Sequence, residues 1–326
     1  STGVAGFIGF HTAKKLVEMG EEVIGVDNLS EYYDVKLKLD RLNELGDSID
    51  FIKGDISDYK FMEKIFNNHK INSIVHLAAQ AGVRYSLENP FEYEKTNNLG
   101  TMNLFELAKL NDIKNVVYAS SSSVYGGNTH FPFSVKDRVD NPISVYAATK
   151  KYNELLAESY SKLYGINMTG LRFFTVYGPW GRPDMFMYKL LDAINGGNSV
   201  DIYNNGDHIR DFTFIDDIVS GIISSHKNNT NGSKIYNLGN NKPVELMKVV
   251  EIIENNMNKS AKKNYLPMQK GDVYKTYADI SETISELNWK PTTTIEEEFQ
   301  NLLIGIKSIK NENRNNWIRI CWNGNR

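Results

Sequence analysis

The spacing Gly3-x-x-Gly6-x-x-Gly9 at the head of a helical stretch constrains the fold of this 326-residue chain more than any other feature. Glycines so placed let the backbone turn tightly and bring the N–H groups of a helix start close to a pyrophosphate. Taken alone, the spacing is also that of an ordinary tight turn. The residues that follow favour the first reading. Glu22-Val23-Ile24-Gly25-Val26-Asp27 reads as a strand, and its last residue, Asp27, stands 18 residues after Gly9. A carboxylate at that point accepts hydrogen bonds from an adenosine ribose 2′-OH and repels a 2′-phosphate, which favours NAD over NADP.

Short apolar runs alternate with helical patterns through the first half. Phe51-Ile52, Ser73-Ile74-Val75-His76-Leu77 and Asn115-Val116-Val117-Tyr118-Ala119 read as further strands. Helical stretches fall near 10–19, 58–67, 97–110 and 146–163. Such alternation predicts an α/β fold of Rossmann type, a doubly wound parallel sheet. Asp55 follows the second of these strands and is placed to accept from an adenine amino group. Leu77-Ala78-Ala79-Gln80 supplies the small residues that a wall close to a cofactor requires. The strand that should open the first crossover is absent. About six apolar residues are expected before Ser1, because a central parallel strand is buried on both faces. That leaves an upstream signal or anchor open.

After Pro179 the character changes: Gly, Asn and Pro punctuation, strands near 200–203 and 235–238, and helices near 214–226 and 244–257. The expected organisation is a dinucleotide-binding domain over 1–178. A smaller α/β substrate-binding lobe covers 179–310, with some segments returning to the first domain, and 311–326 is an atypical tail.

Composition removes several classes of function. A net charge of −3 gives no general attraction to nucleic acid. The six histidines have no metal-ligand spacing, and the single cysteine, Cys321, rules out an internal disulfide or a thiolate cluster. No apolar run approaches the roughly 18 residues that a membrane span needs. A reducing, cytoplasmic setting fits, with no metal, nucleic-acid or membrane partner expected.

Chemistry is carried by two segments. Ser120-Ser121-Ser122-Ser123 follows a strand and offers hydroxyls at its carboxyl end. Tyr146 and Lys150 lie four residues apart, so a helix puts them on one face. Free tyrosine ionises near pH 10, and making it a usable base at neutral pH takes roughly 4 kcal/mol. A neighbouring cation is a direct source of that energy.

Together the glycine turn, the Ser-rich strand end with Ser123-Val124-Tyr125-Gly126, and Tyr146-x-x-x-Lys150 resemble the extended short-chain dehydrogenase/reductase family, nucleotide-sugar epimerase branch. The likeness runs from Gly3 to about Lys307 and is tightest to UDP-glucuronate 4-epimerases, in 27–34, 79–86 and 173–185. It implies NAD held as a prosthetic group, Tyr146 as base, Ser121 as hydrogen-bond donor to the reacting oxygen, and Lys150 as the residue that holds the nicotinamide ribose and lowers the tyrosine pKa. It extends the cofactor contacts to Phe7, Ile8, Asn28, Ile56, Asn97 and Phe173. To a UDP-sugar substrate it assigns Arg84, Ser121, Ser122, Ser123, Thr175, Arg182, Arg210, Gln269 and Asp272. Arg210 falls to the diphosphate, and Gln269 and Asp272 to the uridine ribose or phosphate. Thr175 and Arg182 are the candidates for gripping a uronic carboxylate, which a guanidinium can hold through two bonds.

By the same resemblance the reaction is oxidation at C4 and return of hydride to the other face, from UDP-glucuronate to UDP-galacturonate for polysaccharide assembly. Related 4,6-dehydratases and decarboxylases carry carboxylates after the catalytic hydroxyl, where this chain has Ser122 and Ser123. Serine cannot do carboxylate acid–base work. The alternatives are a UDP-glucose or UDP-N-acetylglucosamine 4-epimerase and an NAD-binding regulatory protein without catalysis. The helices near 97–110 and 146–163, with Leu104, Leu107, Leu155 and Leu156 taken as outward-facing, are expected to pair into the four-helix bundle of a homodimer, as in the family; core packing is the competing explanation.

Overall fold

In a computed structural model, the residues described are 1–228, 231–296 and 298. The tail 311–326 lies outside them. The strands are β1 (Ile24–Asp27), β2 (Asp50–Lys53), β3 (Ile74–His76), β4 (Asn115–Ser121), β5 (Asn167–Phe173), β6 (Thr175–Tyr177), β7 (Ser199–Ile202), β8 (Ile209–Phe214), β9 (Ser233–Leu238), β10 (Pro243–Glu245) and β11 (Lys262–Tyr265). The helices are α1 (Phe7–Glu18), α2 (Val35–Leu45), α3 (Tyr59–Asn68), α4 (Tyr85–Glu88), α5 (Pro90–Tyr93), α6 (Gly100–Leu110), α7 (Val145–Tyr164), α8 (Phe186–Gly196), α9 (Ile215–Lys227), α10 (Leu246–Met257) and α11 (Ser281–Leu287). A π-helical turn, Glu94–Leu99, joins α5 to α6.

The main sheet is parallel throughout. β2 pairs with β1, and β3, β4, β5 and β9 follow in that order. Thr2 bridges the two groups, parallel to Val26 on one side and to His76 on the other. Below that bridge a groove lined by Ile24, Val26, Ile74 and Val75 separates β1 from β3. Helices cover both faces, as a parallel sheet demands. One hydrophobic cluster joins α1, α2 and α9; the other joins α3, α6 and α7.

Local chemistry starts and stops these helices where expected. Asp58 caps α3 by accepting from Phe61 N–H at 3.0 Å. Ser144 caps α7 by accepting from Ala147 N–H at 3.1 Å, and Gly165, in the left-handed region at φ 65°, ends it. Leu104 and Leu107 do not face outward. Both are 1 % exposed and pack with Phe105, Ala157 and Met168 in the second cluster, and Leu156 is partly buried against it. Burying a leucine is worth about 1.5–3 kcal/mol, so the core claims these positions. Leu155 is 57 % exposed, with Leu99, Leu110 and Leu163 also open on these helices and the turn before α6.

β5 was not anticipated, although it pairs with both β4 and β9. Gly170 and Arg172 interrupt its apolar pattern for local reasons. A Cβ at Gly170 would come 2.5 Å from the Tyr118 hydroxyl, and Arg172 is neutralised by Glu154. Beyond the main sheet, β6, β8 and β10 form a three-stranded sheet, and β7 pairs with β11. No helix among the described residues is long and apolar enough to cross a membrane.

Candidate active site

The carboxyl ends of the parallel strands open onto a cavity of about 380 Å³. Gly3, Gly6, Phe7, Ile8 and Gly9 form one wall; Asp27, Asn28 and Ile56 lie beside them, and Leu77, Ala78, Ala79 and Gln80 form the next. The glycine turn could not be built from other residues. Gly3 has φ +75°, and a Cβ on it would meet Ala78 N at 2.7 Å; a Cβ on Gly9 would lie 1.9 Å from Gly3 O. Gly6 heads α1 with no capping side chain, and the first turn holds no acidic residue. The N–H groups of that turn are left to an anion in the cavity. Asp27 is buried at the end of β1, where it accepts from Ala5 N–H at 3.1 Å and Leu29 N–H at 2.8 Å.

Two of the expected cofactor residues do not line this cavity. Asp55 turns to Ser57 and Lys95, its neighbours Gly54 and Ile56 facing the space instead. Burial raises its pKa, but the Ser57 bonds and Lys95 outweigh that and hold it below the usual carboxylate value. Asn97, in the π-helical turn, sits behind the wall. It accepts from Gln80 N–H at 2.8 Å and donates to Gln80 O and to the Thr149 hydroxyl, both at 3.0 Å. Its position supports the wall from behind.

At the other end of the cavity stand Ser121, Ser122, Ser123, Tyr146, Lys150, Phe173, Thr175 and Arg182. Ser121 accepts from Ser123 N–H and donates to Ser123 Oγ, both at 3.2 Å, and its hydroxyl stands near enough to the Tyr146 phenol to act on its charge. Lys150, 3 % exposed, donates to Ala119 O at 2.9 Å. Burial lowers its pKa to about 8. Tyr146 does not match the expectation of a phenol primed by Lys150. Burial raises its pKa, and what opposes the rise is the Ser121 hydroxyl and then Arg182, not Lys150. Within the chain, one of the three N–H donors of the lysine goes to a strand carbonyl.

Arg182 is gripped side-on by Asp184, Nε to Oδ1 at 3.0 Å and Nη2 to Oδ2 at 2.6 Å, and donates to Ala81 O at 3.3 Å. Burial works against its charge, but Asp184 more than restores it. The Tyr32 hydroxyl donates to Asp184 at 3.0 Å, and the Arg182 guanidinium lies 5.8 Å from the Tyr32 ring centroid.

A second group lies outside the cavity. Arg210 Nη2 donates to Asp272 Oδ1 at 2.8 Å, and Arg84 lies 3.9 Å from the same carboxylate, over the Tyr203 ring. Gln269 Oε1 is buried without a hydrogen-bond partner. Arg84 and Arg210 thus meet on the one carboxylate of Asp272, outside the cavity.

Several lining or clustered residues were missed from sequence. Lys38 reaches the cavity from α2 and donates to Ser30 O at 2.7 Å and Ser30 Oγ at 3.0 Å; burial lowers its pKa against the pull of Asp27. The available signal was a charged residue on the buried face of α2, beside Leu37 and Arg41. His208, 5 % exposed, stands between Arg210 and Asp272, and nothing in its sequence setting marks it.

The family described as GDP-mannose 4,6 dehydratase matches residues 2–302. The chain belongs to that family. Within it, the chain is 49 % identical over 314 residues to "Protein CapI" of Staphylococcus aureus, covering 91 % of this chain and 94 % of that one. It is 46 % identical over 299 residues to the UDP-glucuronate 4-epimerase of Thermodesulfobacterium geofontis, covering 91 % and 92 %. Among solved structures, the UDP-glucuronic acid 4-epimerase of Bacillus cereus, in complex with UDP-glucuronic acid and NAD, superposes with a TM-score of 0.86 at 32 % identity, over 94 % of this chain and 98 % of that one. The short-chain dehydrogenase/reductase resemblance and the Rossmann-type fold are therefore both upheld.

Proposed function

We propose that this chain is an NAD-dependent 4-epimerase that interconverts UDP-glucuronate and UDP-galacturonate. The observation that carries the reading is one cavity walled at one end by the glycine turn and Asp27 and at the other by Ser121, Tyr146, Lys150, Thr175 and Arg182. The relatives named UDP-glucuronate 4-epimerase and the B. cereus complex support it. The residues fit NAD: the turn admits no Cβ at Gly3 or Gly9, uncapped N–H groups face the cavity, and Asp27 is a ribose acceptor.

Bound NAD supplies a reversible two-electron acceptor at the sugar C4. The chain's own residues handle the proton and the orientation. Tyr146 takes the proton of the C4 hydroxyl and later gives it back, so no net proton is consumed. Ser121 donates a hydrogen bond to the C4 oxygen as charge builds on it. Lys150 holds the nicotinamide ribose from a buried site. Thr175 and Arg182 hold the uronic carboxylate, Arg182 through Nη1, the nitrogen that its bonds to Asp184 and Ala81 leave over. Ser122 and Ser123 line the sugar site without adding a carboxylate that would drive elimination.

The same reading gives Arg210, Arg84, Gln269 and Asp272 to the uridine diphosphate. It divides the chain at 178, with 179–310 supplying the nucleotide-sugar face while α9 and β9 return to the main sheet. Exposed Leu155, Leu99 and Leu163 support a homodimer through α6 and α7, and we place the reaction in the cytoplasm, feeding polysaccharide assembly.

Purified protein incubated with UDP-glucuronate should yield UDP-galacturonate, resolved by anion exchange, with NAD released on acid treatment. Tyr146→Phe should abolish turnover and retain NAD. Good turnover of UDP-glucose with none of UDP-glucuronate would reject the substrate, and full activity in Tyr146→Phe would reject the mechanism.

A further inference from the structure

Three side chains on one face of α7, spaced i, i+4 and i+8, meet three consecutive residues of β4. Tyr146 lines the cavity beside Ser121, Lys150 donates to Ala119 O at 2.9 Å, and Glu154 accepts from the Ser120 hydroxyl at 2.7 Å. The first two have roles in the proposed reaction. Glu154 has none, yet it is the most elaborately held of the three. It is 5 % exposed, and Arg172 on β5 grips both its oxygens, Nε to Oε1 and Nη2 to Oε2, each at 2.8 Å. Lys151 stands 3.7 Å from Oε2. Arg172 is opposite Ser120 in the β4–β5 ladder and opposite Asn237 in the β5–β9 ladder. The Tyr125 ring lies 4.8 Å from its guanidinium, and the Tyr125 hydroxyl donates to Asn237 Oδ1 at 2.7 Å. One carboxylate therefore ties α7 to two neighbouring parallel strands, β4 and β5.

Building on the proposed reaction, we infer that Glu154 is a positioning residue that sets the register of α7 on β4 and so places Tyr146 against Ser121. Stability does not account for the arrangement. A buried ion pair can usually be replaced by apolar residues of similar size with little loss, whereas fixing register is the best-attested use of one. A slide of α7 by a fraction of a turn would leave Lys150 another carbonyl of β4 to bond. It would break the Ser120–Glu154 bond and carry Tyr146 away from Ser121 together. Glu154 and Arg172 touch no part of the cavity.

The test compares Glu154→Met/Arg172→Met, which removes the pair without leaving a lone buried charge, with Ser120→Ala, which keeps the pair and cuts its bond to β4. Both are assayed as NAD-loaded full chains. The double variant should melt within a few degrees of wild type and lose roughly ten- to a hundredfold in kcat, the scale of a misplacement near 1 Å, with KM for the sugar nucleotide changed less than about twofold. Ser120→Ala should lose about three- to tenfold in kcat with the same unchanged KM. A second readout does not depend on turnover: the ultraviolet titration of Tyr146, taken as the difference between each variant and the same variant carrying Tyr146→Phe. Tyr146 faces Ser121 from β4, Tyr93 from α5, Lys150 on its own helix and Arg182 from the loop after β6, and a slide of α7 changes its distance to all of these but Lys150. Its midpoint should shift in both variants as the phenol moves relative to Ser121 and Arg182. A folded double variant with wild-type kcat and an unmoved titration overturns the inference. Should the double variant not fold, Ser120→Ala alone decides, and a wild-type kcat and titration in it overturn the inference equally. If the wild-type chain turns over no sugar nucleotide, the functional reading fails, and the titration alone judges Glu154.

Discussion

Lys150 is buried at the cavity floor with its ammonium on a single carbonyl, and that has a measurable cost. Lowering its pKa from 10.5 to about 8 by burial amounts, at about 1.36 kcal/mol per pH unit, to roughly 3 kcal/mol of destabilisation at neutral pH. Lys150→Met removes the charge and keeps the length. It also loses the bond to Ala119 O, worth about 1–2 kcal/mol for a charged donor, so Met should leave the nucleotide-free chain about 1–2 kcal/mol more stable at pH 7. The sign follows from proton binding. Between pH 8 and 10.5 the unfolded lysine is protonated and the folded one is not, so wild-type stability rises with pH across that window. Below pH 8 the full penalty is present. Methionine has no such dependence. Urea unfolding of the two proteins at a series of pH values should therefore show the gap closing from pH 8 upward and reversing at about pH 9–9.5, where a slope of about 1.36 kcal/mol per pH unit has recovered about 1–2 kcal/mol. A gap that does not move with pH would refute the account, whatever its size at neutrality. Activity should be lost in the variant, as for a site that trades stability for function.

Arg182→Gln should raise KM for UDP-glucuronate about thirty- to a hundredfold, the worth of a charge-assisted pair of 2–3 kcal/mol, and leave KM for UDP-glucose within about twofold; equal effects on both sugars in steady-state kinetics would contradict its assignment to the carboxylate. Gly9→Ala places a Cβ 1.9 Å from Gly3 O, a backbone atom that cannot step aside, so thermal melting should show a loss of at least about 2 kcal/mol together with loss of bound NAD. Asp27→Asn should weaken NAD at least about tenfold while narrowing its advantage over NADP, measured by fluorescence titration. An unchanged preference would remove Asp27 from the ribose.

The glycine turn, Asp27 and the Tyr146–Lys150 pair were legible because each is a local pattern: spacing within one turn, one strand end, one helix face. The strands of the first half were legible for a similar reason, since parallel strands buried on both faces read as apolar runs, and β1, β3 and β4 do. β5 hid because its buried Arg172 is made tolerable by a partner 18 residues earlier on another element. Leu104 and Leu107 misled because helical periodicity says which residues share a face and not whether a neighbouring helix covers it. The tyrosine's expected priming failed on the same ground. Lys150 lies one turn from Tyr146 in sequence, but its ammonium is claimed by Ala119 O, and the cation acting on the phenol is Arg182, 36 residues away. Motifs name the groups that react; what each is bonded to, and hence its charge state, is settled by residues on other elements. The same division explains why Glu154, standing one turn beyond the motif, carries no sequence signal of its own. Its partners Ser120 and Arg172 come together only when β4 and β5 pair, so the register they fix is a property of the assembled sheet.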